Sequence, residues 1–185
     1  MKNIAVIDTE TNWNDEVMSI GVVISNSTYQ ALKGKYYILT PEYKVGGMYS
    51  HALKIEQNTI VCSRKEAMKD LIQFLEANHV DSIFAYNALF DYGHLWELRE
   101  YNWYDILKIA AYRQTNPFIP KYTECYKTGR MKRDYGVEPI FRMLSNDENY
   151  FECHNALYDA IDELKIMFYL SHDLEVYEST LVNGR

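Results

Sequence analysis

Two acids separated by one threonine, Asp8 and Glu10, close the apolar run "IAVID" that begins at Ile4. In an extended strand, residues two apart project to the same face, so the two carboxylates converge. Anions a few ångströms apart at the end of a buried strand repel each other unless a proton or a cation offsets them. A hard divalent ion with oxygen ligands is the natural offset. Two further acids stand in similarly apolar surroundings. Asp91 follows the run "SIFAY" within "NALFDYGHL", and Asp159 lies one turn into "NALYDAIDEL", among Ala156, Leu157, Ala160 and Ile161. His154 stands just before that last segment, next to Cys153. Taken singly, each has a bland reading: a solvated strand end, a helix-end charge, a polar residue facing water.

The elements that must position these groups follow from hydrophobic period. Residues 3–9, 17–25 ("VMSIGVVIS") and 35–40 ("KYYILT") read as strands joined by short polar or Gly-containing links, which predicts an antiparallel meander. Ser63 and Glu66 have capping-box spacing ahead of an amphipathic helix with Ala67, Leu71, Phe74 and Leu75 on one stripe. "SIFAY" (82–86) is a short buried strand. "ALFDYGHLWELRE" (88–100), "WYDILKIAAYR" (103–113) and residues 138–144 read as helices. "NALYDAIDELKIMFYLS" (155–171) is a strong helix with Asn155 as N-cap and Leu157, Ile161, Leu164 and Phe168 on its apolar stripe. Asp162 and Glu163 are expected on its solvated face. The order β-β-β-α-β-α-α-α predicts an α/β layering of a mixed sheet with helices. One domain is expected over residues 1–175, with a short C-terminal tail at 176–185.

Composition narrows the function classes. The chain has 185 residues, 48% of them hydrophobic, enough for a full core and unlike a disordered segment. Eighteen consecutive apolar residues occur nowhere, so no membrane span is expected, and the N-terminus carries no cleavable signal pattern. Three scattered cysteines without C-x-x-C spacing argue against a disulfide framework or a zinc site and for a cytoplasmic location. A net charge of −7 excludes a generic cationic nucleic-acid coat. The charge is uneven, however. Residues 112–136 hold six Lys/Arg (Arg113, Lys121, Lys127, Arg130, Lys132, Arg133) against Glu124 and Asp134, a segment of +4 in a chain otherwise at −11. Cations interleaved with tyrosines can hold a single strand by phosphate contact and stacking.

Together, D-x-E on the first strand, N-x-x-F-D after a later one, and H-x-x-x-x-D opening the last helix resemble the DEDD 3′→5′ exonucleases. The histidine places the resemblance in the DEDDh branch, which includes polymerase proofreading subunits, ribonuclease T and oligoribonuclease. It spans roughly residues 3–170, in the same order and spacing. The resemblance implies a ribonuclease H-like fold, a five-stranded mixed sheet flanked by helices in three layers. It also implies two divalent ions, Mg²⁺ or Mn²⁺, held by Asp8, Glu10, Asp91 and Asp159. Asp8 would bridge the pair, Glu10 and Asp159 would complete the ion beside the attacking water, and Asp91 would reach the other. Two ions about 4 Å apart stabilise the entering and leaving oxygens of an in-line displacement at phosphorus. His154 would take the proton from the water. The implied activity is hydrolysis of single-stranded DNA or RNA from the 3′ end to nucleoside 5′-monophosphates. Candidate partners besides the strand are a DNA polymerase and a second copy of the chain.

Departures from the family pattern mark the substrate side. Where many relatives continue with Thr-Thr-Gly, this chain has Thr11, Asn12 and Trp13. Thr9 and Thr11 are candidates for the terminal nucleotide, and Trp13 for a stacking platform. Tyr86-Asn87 stands where relatives carry His-Asn, and "SHAL" offers His51 where they carry His-Gly-Ile. Asn87 and His51 are therefore candidate substrate contacts. Asp105 resembles a structural aspartate. A catalytically silent binding module and an endonuclease of the same superfamily are the competing readings. Retention of all four acids and the histidine speaks against the first, and the His154–Asp159 spacing against the second.

Overall fold

A computed structural model describes residues 3–183. The layout starts from strict alternation on β1 (Asn3–Thr11). Ile4 and Val6 join the core on one side of the sheet, Ala5 and Ile7 the core on the other. β1 pairs antiparallel with β2 (Val17–Ser25), and β2 with β3 (Ala31–Leu39), the expected meander. On its other edge β1 runs parallel to β5 (Val80–Ala85), which runs parallel to β6 (Asn102–Asp105). β4 (Thr59–Cys62) adds in parallel to the outer edge of β3, giving the order β4-β3-β2-β1-β5-β6. Helix α1 (Arg64–Ala77), opened by the expected Ser63–Glu66 capping box, covers one face. Helices α4 (Val137–Ser145) and α5 (Ala156–Leu170) cover the other. This is the three-layer α/β architecture.

Six strands stand where five were expected. β4 is only four residues long and abuts the capping box, so its β-branched run is masked by the helix start. β6 overlaps the start of "WYDILKIAAYR". Its first residues join the open edge of β5 and bury Trp103 completely, leaving only α3 (Leu107–Ala110) helical. Ladder hydrogen bonds and that burial outweigh local helical preference. The helix expected over 88–100 is likewise shorter. α2 (Leu89–His94) stops at Leu95, and a 3₁₀ turn (Trp96–Leu98) follows, because Leu95 and Leu98 both turn into the core. The tail expected at 176–185 is packed in its described part. Tyr177 is fully buried, Thr180 Oγ1 accepts from Asp105 N, and Val182 N donates to Trp103 O at 2.8 Å. Residues 184–185 lie outside the described residues.

Helix α5 is rotated from its expected stripe. Phe168 is exposed, while Ala156, Asp159, Ala160, Glu163 and Met167 are buried. Small residues on this face let the helix approach the sheet closely. One such approach is at Gly21, which sits opposite Asp8 in the β1–β2 ladder. A Cβ there would lie 2.0 Å from Ala156 O. Main chain therefore rests on main chain, and that contact seats the first turn of α5 beside the end of β1. Gly21→Ala is expected to cost roughly 3 kcal/mol, the upper end for overpacking. At about 2–4 °C per kcal/mol, the melting temperature should fall by roughly 6–12 °C. A calorimetric scan with no shift would mean that the helix is not so tightly seated.

Candidate active site

The close seating of α5 brings acids from three distant segments together. Asp8 and Glu10 come from β1, on the face shared with Ile4 and Val6. Asp159 comes from the first turn of α5, and Asp91 from α2, just past the end of β5. One ligand atom each from Glu10, His154 and Asp159 lies within 4.8 Å of the others. Asp8 is held well above the usual carboxylate range by burial first and then by Glu163, Asp91, Asp159 and Glu10. Every charge that shifts it is another acid. Burial, with Asp159 next, pushes Glu10 up to about 8. Burial also lifts Asp91 to about 7, against an opposing hydrogen bond from Thr9. Asp159 rises to about 7 through burial and the neighbouring Glu152. Such a cluster demands protons or cations. Its carboxylate oxygens are hard donors, which suit Mg²⁺ or Mn²⁺.

Two acids of this cluster do not follow from the sequence reading. Glu163, expected on a solvated face, is buried, and its Oε2 accepts from Tyr86 N at 3.0 Å. The available signal was its spacing, since Asp159 and Glu163 are four apart on a helix and share a face. Asp162 sits at the rim of that face, accepting from Tyr150 Oη at 2.8 Å and Lys165 Nζ at 2.6 Å. Glu152, on the loop before α5, is lifted to about 7 by burial and by Glu138. Nothing in its sequence context singles it out.

Candidate substrate contacts divide. Thr9 is buried, its Oγ1 donates to Asp91 Oδ1 at 2.7 Å, and the residue also borders the cleft that Thr11 lines. Thr11 borders an open cleft of about 440 Å³ with Trp13, Met48, Tyr49 and Phe90. Trp13 is 68% exposed at its mouth. His51 is exposed in a 3₁₀ turn (Ser50–Ala52), near enough to His154 to disfavour its protonation. Asn87 is exposed in a left-handed conformation (φ 62°) at the turn out of β5, its N–H held by Asp105 Oδ1 at 3.1 Å. Asp105 also accepts from Leu107 N at 3.1 Å and stays outside the cluster, in the structural part expected of it.

The groups around Asp159 complete the picture. His154 is partly buried, and burial lowers its pKa, while Glu138 opposes the shift. Asn155 occupies the N-cap position but makes no cap hydrogen bond. Its Nδ2 instead donates to Ala52 O at 3.0 Å, tying the His51 loop to α5. Cys153 Sγ lies 3.8 Å from Asp159 Oδ1, and burial and that acid raise its pKa, which leaves an unreactive thiol. The basic segment 112–136 is not a plain solvated loop. It buries Ile119 and Met131, and Arg130 lies over the Tyr135 ring at 4.4 Å. Tyr86 Oη donates to Tyr135 O, so the segment is fastened to the residue that Glu163 holds. Phe118, Tyr122 and Tyr126 remain exposed on it.

No protein-family model and no curated protein matches the sequence. Solved structures do match in three dimensions. Escherichia coli exonuclease I in complex with a dT13 oligonucleotide superposes with a TM-score of 0.63 at 9% identity, over 97% of this chain and 43% of that one. The zinc-bound form of the E. coli exonuclease I–single-stranded DNA complex gives 0.61 at 10% identity, over 92% and 40%. The fold is thus shared over nearly all of this chain, which spans about 40% of the length of those proteins. Among the described residues no helix is long and apolar enough to cross a membrane.

Proposed function

We propose that this chain is a metal-dependent 3′→5′ exonuclease acting on single-stranded nucleic acid, DNA in the first instance. The observation that carries the reading is the meeting of Glu10, His154 and Asp159 within 4.8 Å, with Asp8 and Asp91 near enough to repel them and Glu10 bordering an open cleft, in the motif order of the DEDDh exonucleases. The shared fold with an exonuclease bound to single-stranded DNA supports it.

Asp8, Glu10, Asp91 and Asp159 would hold two divalent ions, Mg²⁺ or Mn²⁺. When bound, such ions polarise the phosphate and stabilise charge developing on the entering and leaving oxygens. Thr9 fixes Asp91 from below. His154 accepts the proton of the attacking water. Its lowered pKa keeps it neutral, and therefore basic, at physiological pH. The water oxygen bonds to phosphorus, the bond from phosphorus to the 3′-oxygen of the preceding nucleotide breaks, and a nucleoside 5′-monophosphate leaves. Thr11, His51 and Asn87 contact the terminal nucleotides, and Trp13 offers a ring for a base.

The basic segment 112–136 guides the strand. Replacing Lys121 and Lys127 by Gln is expected to weaken binding of a single-stranded oligonucleotide several-fold at low salt. The slope of log affinity against log salt should also become shallower by about 0.7 for each phosphate left without its cation. Titrations that retain the wild-type slope would remove the segment from the substrate path.

The test of the function is product order. A 3′-labelled single strand with Mg²⁺ or Mn²⁺ should release labelled mononucleotide from the first time point, a 5′-labelled one a descending ladder, and EDTA should stop both. Internal fragments appearing first, or no cleavage of DNA or RNA, would overturn the reading.

A further inference from the structure

His154 has an unusual setting for a proton acceptor. It holds a left-handed backbone conformation, φ 54°, uncommon for any residue with a Cβ. Among the described residues its ring makes no hydrogen bond. What meets it is the ring of Tyr49, stacked at 3.7 Å between centroids and 17° between planes. Tyr49 is itself fastened at both ends of its loop. Upstream, Trp13 N donates to Gly46 O at 2.9 Å, and Gly47 lies so close to β1 that a Cβ would come within 2.5 Å of Thr11 O. Downstream, Asn155 Nδ2 holds Ala52 O. The loop is thus tied to the strand that carries Asp8 and Glu10 and to the residue that opens the helix carrying Asp159.

We propose that Tyr49 is the positioning residue of the general base, a role that rests on the exonuclease reading above. Its ring face restricts an imidazole that would otherwise turn freely on an irregular loop, and keeps one ring nitrogen within 4.8 Å of the Glu10 and Asp159 oxygens. The same face acts electronically. When His154 takes the water proton it becomes a cation, and the electron-rich face of a tyrosine attracts a cation stacked on it. Tyr49 therefore favours the protonated histidine that forms as the water oxygen bonds to phosphorus and the 3′-oxygen departs, itself taking a proton from solvent. Phe preserves this face and an aliphatic side chain does not.

Y49F and Y49L decide the matter, with digestion of a 3′-labelled single strand and proton spectra of the metal-free protein. Y49F should keep at least half of wild-type kcat. Y49L should lose about 10- to 100-fold in kcat, part of the 10²–10⁴ typical of general acid–base catalysis, with KM for the strand within twofold. Introduced into H154A, Y49L should cost nothing further, since the group it positions is gone. The His154 ring protons, shifted upfield by the stack in wild type and Y49F, should move downfield in Y49L. A Y49L enzyme with raised KM and intact kcat would make Tyr49 a platform for a base and overturn the proposal. So would unshifted His154 signals. Wild-type protein inert on every strand would defeat the exonuclease reading and the catalytic role with it, whereas active wild type with equally active Y49L defeats the positioning role alone.

Discussion

Asp159→Asn is expected to abolish strand digestion while leaving the protein folded and, without metal, more stable than the parent. The amide keeps the size of the carboxylate but takes one charge out of a cluster in which all the charges repel. On the catalytic side, an ion deprived of one anionic ligand loses several kcal/mol of charge stabilisation. At tenfold per 1.36 kcal/mol, a fall in kcat of about 10³-fold or more follows. On the stability side, removing repulsion should raise the metal-free melting temperature by a few degrees. The opposite movement of the two readouts identifies the cluster as built for a ligand and not for the fold. A variant that digests strands within tenfold of wild type would take Asp159 out of the chemistry.

The metal-free protein should lose stability as pH rises from 5 to 8.5. Burial first, then neighbouring acids, lifts Glu10 to about 8 and Asp159 to about 7; burial alone lifts Asp91 to about 7. In the unfolded chain these groups titrate near 4. Between those values the folded state holds protons that the unfolded state has released, so stability falls with increasing pH and is best retained at the acid end. A loss of a few kcal/mol across the window corresponds to roughly 5–10 °C. Divalent ions replace the protons, so Mg²⁺ or Mn²⁺ should raise the melting temperature much more at pH 8 than at pH 5 and release protons on binding. Asp159→Asn should flatten the metal-free profile. A wild-type profile already flat from pH 5 to 8.5 would show that the carboxylates do not confront one another in the folded protein.

Much of this arrangement is legible in the residues because it depends on local rules. The period of two on β1 puts Asp8 and Glu10 on one face, and the capping box at Ser63 starts α1 where expected. What escapes such rules is decided at long range. β6 is a strand because β5 presents an open edge and Trp103 needs a core, and neither fact is written in "WYDILKIAAYR". Glu163 reads as solvated when the apolar stripe of α5 is drawn from Leu157 to Phe168. The helix turns its small residues to the sheet instead, and two acids go with them. Thr9 reads as a ligand contact because of its place between Asp8 and Glu10; that its hydroxyl also holds Asp91, far along the chain, no local rule announces. Tyr49 carries no motif at all. Its meaning depends on a loop folding back across two other segments.

The bare contact at Gly21 has a consequence for how such chains diverge. Because the width of the gap between strand and helix is set there by peptide planes, it does not depend on which side chains fill the rest of the molecule. Core residues, loops and even the outer strands can be rewritten by mutation while the clustered carboxylates keep their separation, provided that one position stays without a side chain. Variants of this chain selected for activity should therefore keep residue 21 invariant, even where the buried neighbours along β2 exchange one apolar side chain for another.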